Sequence, residues 1–199
     1  MSLISDNLQA VQERIASAAQ GAGRAAADVQ LLAVSKTFGP GAVIAAADAG
    51  QRSFGESYVQ EALDKMAAVR NTRADLLLDW HFIGPIQSNK TRPIAEHFDW
   101  VHSVDREKIA QRLSEQRPAH LPALNICLQV NVSGEESKSG VAPGEAVALA
   151  QRIAALPRLR LRGLMAIPEP ADDPQQQRAP FRQLRLLLGQ LCEQGLVLD

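Results

Sequence analysis

Leu31-Leu32-Ala33-Val34-Ser35-Lys36, followed by Pro40 to Ala49 and a stop at Gly50, carries the pattern that decides the fold. A short apolar run ending in polar residues reads as a buried strand, and Pro at the start with Gly just past the end marks a helix. The pattern then recurs. Ser53-Phe54-Gly55 leads to a helix opening at Ser57, where Gln60 completes a capping box. Trp80 to Ile83 precedes a helix from about Ser88, and Trp100 to Val104 precedes one from Arg106 to Arg117. Leu124 to Val132 precedes a helix from Pro143 to Leu156. Leu159 to Ile167 leads through a Pro- and Asp-rich loop to a helix carrying Phe181, Leu184, Leu188 and Leu191, and Leu196-Val197-Leu198 starts one more strand. Ahead of all of these, Ile4, Leu8, Val11 and Ile15 recur at helical spacing and Gly21 and Gly23 close an opening amphipathic helix.

Strands that read as continuous apolar runs between helices imply a parallel sheet covered on both faces, hence an α/β fold. No Gly-x-Gly-x-x-Gly follows the first strand, and polar residues sit at the carboxyl ends of many strands: Lys36, Glu56, Gln87, Ser103 and Asn131. That distribution favours a (β/α)8 TIM-type barrel over an open doubly wound sheet, because a barrel builds its site from all of its strand ends. Strand starts near positions 30 and 196 enclose six βα units of roughly 28 residues each, a usual size. An eighth strand would need roughly 30 to 50 further residues by the same spacing, so residues 1–199 read as a single barrel domain truncated at its C-terminus.

Composition excludes several classes. Of the 199 residues, 46% are apolar and 22% charged, as in globular proteins, and no run approaches the roughly 20 apolar residues that span a bilayer. A net charge of -1 lacks the basic excess of a nucleic-acid binder. The N-terminus has no cationic stretch leading into an apolar one, which argues against a secretory signal and for the cytoplasm. There Asn89-Lys90-Thr91 and Asn131-Val132-Ser133 are chance glycosylation matches, and Cys127 and Cys192 read as small buried hydrophobes rather than a disulfide or nucleophile. His97, His102 and His120 have no metal-like spacing, so no metal site is expected, and neither a Gly-x-Ser-x-Gly elbow nor a P-loop occurs.

Lys36 is the first chemical candidate. It ends an apolar strand on the same side as Leu32 and Val34. If that side is a barrel interior, the amine emerges at the mouth, where desolvation favours the free base that attacks carbonyls. The alternative is a strand-end lysine that pairs with a carboxylate or binds phosphate, and spacing alone does not choose between them.

The surroundings add a resemblance. Val34-Ser35-Lys36-Thr37, Phe54-Gly55-Glu56-Ser57-Tyr58-Val59-Gln60-Glu61, Trp80 to Lys90 with His81-Phe82-Ile83-Gly84-Pro85, Ser137-Lys138-Ser139-Gly140 and Arg162 to Ile167 occur in this order. Together they resemble the YggS/PROSC family of pyridoxal 5'-phosphate (PLP) homeostasis proteins, whose fold is like the barrel domain of alanine racemase, from about residue 5 to the end. The resemblance implies PLP as cofactor, held as a Schiff base on Lys36, with Ser57, His81 and Met165 at the pocket and Lys138 as a secondary aldehyde-reactive lysine. On their residues alone, His81 is equally a neutral histidine held by a carbonyl, Met165 a core filler and Lys138 a solvated charge beside Glu135 and Glu136. Ser57 stands where the family usually has Asn, and a hydroxyl is shorter than an amide and lacks its two N–H donors. The family's phosphate-binding segments, a Ser-Met-Gly-Met-Ser-like loop and a later Arg-Ile-Gly, would follow residue 199.

The function implied is PLP binding in PLP homeostasis without catalytic turnover, by a monomer whose partners are PLP and PLP-dependent apo-enzymes, with no nucleic acid and no membrane. The alternatives are a PLP-dependent amino-acid racemase and a cofactor-free Schiff-base aldolase. A racemase on this barrel needs a second acid/base from another domain, and this chain has one tyrosine, Tyr58.

Overall fold

The structure is a computed structural model that describes residues 3–134 and 139–198. Two compact units divide the chain, Met1–His81 and Phe82–Asp199.

The first unit opens with α1 (Leu3–Gly21), the helix that the spacing of Ile4, Leu8, Val11 and Ile15 predicts. Strand β1 (Ala33–Val34) feeds α2 (Pro40–Asp48), β2 (Ser53–Glu56) feeds α3 (Val59–Thr72), and β3 begins at Asp79. β1 pairs with β2 in parallel, Ala33 beside Phe54 and Val34 beside Gly55. All four residues of β2 are buried, and α2 and α3 supply Val43, Ala46, Ala47, Ala62, Met66 and Val69 to the core. An apolar groove of about 430 Å³ runs along β1 between α1 and α2, lined in part by Leu8, Val34, Phe38 and Val43.

The second unit takes up the end of β3 (Asp79–Phe82) and adds α4 (Thr91–His97), β4 (Trp100–Val104), α5 (Glu107–Gln116), β5 (Leu124–Gln129), α6 (Pro143–Ala154), β6 (Leu159–Met165) and α7 (Pro174–Glu193). β4 pairs with β5 and β5 with β6, all in parallel. Leu124, Ile126 and Leu128 are fully buried, and the rings of Phe82 and Phe98 meet edge to face at 5.3 Å. A helix after each strand is what allows parallel neighbours, since the chain must cross back before the next strand begins. The strands follow chain order in the sheet, β1-β2-β3-β4-β5-β6, so the βα repeat read from the sequence is the observed topology.

Four expectations need correction. β1 is two residues long rather than a run from Leu31 to Lys36, as befits a strand at the end of the sheet order with a ladder on one side only. The capping box at Ser57 does not form: α3 starts at Val59, its N-cap is Tyr58, and no side chain caps it. Leu196-Val197-Leu198 is not a strand, and Val197 is exposed. Cys127 on β5 is buried, its thiol pushed up to about 12 by desolvation, but Cys192 on α7 is exposed rather than a core residue.

Candidate functional site

The ladder of β1 extends one residue past the strand, where the Ser35 N–H donates to Gly55 O at 2.9 Å. There the chain turns. The Phe38 N–H donates back to Ser35 O at 3.1 Å, closing a four-residue turn with Lys36 and Thr37 at its centre. Thr37 has φ 67°, and a positive φ at the third position is the feature of type II turns, which glycine or asparagine usually fills. Gly39 and Pro40 then start α2. Lys36 therefore stands on a corner beyond the carboxyl end of β1, not within the strand. Its side chain is exposed, so the desolvation expected at a barrel mouth is not what surrounds it. Val34 and Lys36 are exposed and Ser35 between them is buried, while Leu32, read from the sequence on the same side, is half-buried.

A buried polar cluster holds this turn from below. Glu56, the last residue of β2, is 0% exposed, and Lys65, one turn into α3 from Glu61, is 3% exposed. Lys65 Nζ donates to Ser35 O at 2.6 Å, to Glu56 Oε1 at 2.6 Å and to Glu61 Oε1 at 3.0 Å. Ser35 Oγ donates to the same Glu56 oxygen at 2.6 Å. Glu61 Oε1 also accepts the Thr37 N–H at 2.6 Å. Lys65 and then the Thr37 N–H hold the Glu61 carboxyl below the ordinary carboxylate range. A buried lysine is tolerable because two carboxylates and a carbonyl replace its water.

Lys36 stands outside the ion pairs of this cluster. Nearby carboxylates are engaged by Lys65, and among the described residues Lys36 Nζ has no hydrogen-bonding or ion-pair partner.

The first unit also places Ser57, half-buried in the link from β2 to α3, and His81, buried on β3. Met165 belongs to the second unit, where it ends β6, half-buried, and its carbonyl accepts the Val130 N–H at 2.8 Å. Lys138 lies outside the described residues. Ser139 and Gly140 follow it. Gly140 has φ 127°, and a Cβ there would stand 2.6 Å from Asn131 N, so only glycine lets this loop lie against the end of β5. Among the described residues no group of three His, Cys, Asp or Glu side chains is placed to hold a metal ion, and no helix is long and apolar enough to cross a membrane.

Sequence reasoning missed Glu61 and Lys65. One signal was present: Lys65 falls in the stripe formed by Ala62, Met66 and Val69, and a lysine on the apolar face of a helix must find a buried partner.

Residues 7–198 match the alanine racemase N-terminal domain family. Closer relatives narrow it. A pyridoxal phosphate homeostasis protein of Pseudomonas aeruginosa is 65% identical over 188 residues, covering 94% of this chain and 80% of the relative. A crystal structure from Bifidobacterium adolescentis superposes with a TM-score of 0.90 at 36% identity, covering 96% of this chain and 80% of that one. PipY of Synechococcus elongatus, solved with PLP bound, superposes with a TM-score of 0.76 at 36% identity, covering 92% of this chain and 82% of PipY. This chain belongs to the family of pyridoxal phosphate homeostasis proteins.

Proposed function

We propose that this chain binds PLP at Lys36 and serves PLP homeostasis in the cytoplasm as a monomer, handing the cofactor to apo-enzymes rather than turning over a substrate. The observation that carries the reading is the exposed Lys36 amine, which among the described residues no carboxylate engages, while Lys65 pairs with Glu56 and Glu61 beside it. Residues of the first unit fit the group in kind: an accessible amine for an aldehyde, the Ser57 hydroxyl as a hydrogen-bonding group, and the His81 imidazole. Met165 would offer an apolar contact and Lys138 a second amine. PLP supplies an aldehyde that condenses reversibly with an amine and releases one water. The protein's part is to bind and orient. Lys36 presents its amine from a fixed corner, and its proton is lost to solvent before attack. Ser57, in place of the family's usual Asn, makes fewer hydrogen bonds to whatever it faces. Relatives named for homeostasis rather than for a reaction support the absence of turnover.

The test is to titrate the 199-residue chain with PLP while recording visible absorbance, reduce with borohydride, and map the pyridoxyl mass by peptide. The expected result is a saturable absorbance change and label on the Lys36 peptide, both lost in Lys36→Ala. Full labelling in Lys36→Ala, at Lys138 or elsewhere, would overturn the assignment.

A further inference from the structure

We propose that Glu61 and Lys65, with Glu56, are positioning residues for Lys36: they clamp the backbone on both sides of it and keep its amine unpaired. The inference deepens the reading of Lys36 given above and rests on it.

The lysine side chain has four rotatable methylenes and, among the described residues, no contact that fixes its amine, so its direction must be set at the backbone. That backbone is held at the residue before and the residue after. Lys65 Nζ grips Ser35 O, and Glu61 Oε1 grips the Thr37 N–H, each at 2.6 Å. Glu56 joins the two halves, since one of its oxygens accepts from both Ser35 Oγ and Lys65 Nζ. Thr37 needs such a grip. A β-branched residue at φ 67° sits in a region that costs roughly 1 to 2 kcal/mol relative to ordinary backbone. A hydrogen bond donated by its N–H to a charged carboxylate is of the size that offsets this cost.

Charge gives the second half of the argument. Without Lys65, two carboxylates would lie under the turn with no buried cation bound to them, and Lys36 carries an ammonium on that same turn. A Lys36 drawn into an ion pair is held protonated and is a poorer nucleophile. Lys65 thus occupies the place that would otherwise capture the reactive residue.

The experiment compares wild type, Glu61→Ala, Glu61→Gln and Lys36→Ala, each incubated with PLP, quenched with borohydride over a time course and mapped by peptide mass. Label on exposed Lys90 serves as the internal reference, and thermal melting is recorded for each variant. Glu61 is 35% exposed at its side chain, so its replacement leaves a folded protein. Glu61→Ala is expected to lower the initial rate of Lys36 labelling relative to Lys90 about tenfold, the order of loss that follows a small misplacement. Glu61→Gln, whose amide oxygen can still accept the Thr37 N–H, is expected to recover most of that rate. A purely structural role would change melting and move both peptides together. If Lys36→Ala abolishes labelling at that peptide without loss of total pyridoxyl incorporation, the reading of Lys36 falls. If it removes the incorporation while Glu61→Ala labels Lys36 at the wild-type ratio, the positioning proposal alone is overturned.

Discussion

Lys65 in the first unit and Arg117 in the second are both buried cations, 3% and 4% exposed, and they are held in opposite ways. Lys65 faces two carboxylates and one carbonyl. Arg117, at the end of α5, faces carbonyls: Nη1 donates to Ala95 O at 2.7 Å and Phe98 O at 2.8 Å, and Nε to Pro122 O at 2.8 Å. Those carbonyls include the orphan acceptors at the end of α4, so Arg117 finishes a helix and pins a loop. Burial holds its guanidinium below the ordinary arginine range, with Asp99 opposing the shift. The contrast separates two uses of a buried charge. A cation among carbonyls is a staple, and a cation among carboxylates holds the turn that carries Lys36.

The largest effect should come from breaking the staple. Arg117→Met leaves three carbonyls without their donor, a loss of about 3 kcal/mol, or a melting temperature lower by roughly 6 to 12 °C. Among folded molecules, PLP labelling at Lys36 should be unchanged, and a parallel loss of labelling would erase the distinction drawn here. Glu56→Gln should do the reverse. The amide keeps an acceptor in place and Glu61 still pairs with Lys65, so the stability cost should be smaller, about 1 to 2 kcal/mol by urea unfolding, while the rate of Lys36 labelling falls more than in Arg117→Met. Equal labelling in the two variants would mean that the carboxylate cluster is another staple.

The smallest effect is a titration. Because the Glu61 carboxyl is held below its ordinary 4.5, its bonds to Lys65 and Thr37 are fully present above that value and are lost as pH falls through the lower folded one. The Thr37 amide resonance should stay constant from pH 7 to 5, move only below about 4.5, and show no such step in Glu61→Gln. A midpoint above 4.5 would contradict the geometry at this corner.

The βα repeat was legible because helix and strand periods differ, and β4 and its helix fall where Trp100 to Val104 and Arg106 to Arg117 place them. The short first strand was not, since Leu31 and Leu32 are apolar enough to extend it, whereas among the described residues β1 stands at the end of the sheet order. Ser57 misled because a hydroxyl three residues before Gln60 has the composition of a cap while the chain enters α3 one residue later. Lys36 was legible as a strand-end lysine and through its resemblance. Its freedom from a partner was not, because that depends on which of several charges reaches Glu56 first. Glu61 and Lys65 are spaced as an ordinary surface pair at i and i+4, and only the place of Lys65 in the apolar stripe of α3 distinguishes them from one.

Strand order has a consequence for how the chain is made. Ala33 pairs with Phe54, 21 positions later, Trp100 with Asn125, 25 later, and Leu124 with Leu159, 35 later. At a synthesis rate of roughly 5 to 20 residues per second, the partner of each of these strands leaves the ribosome within about 1 to 7 seconds of it. In these pairs the exposed edge of a new strand waits only for the next repeat, so the interval in which it could pair with a foreign chain is set by the length of one helix and two loops.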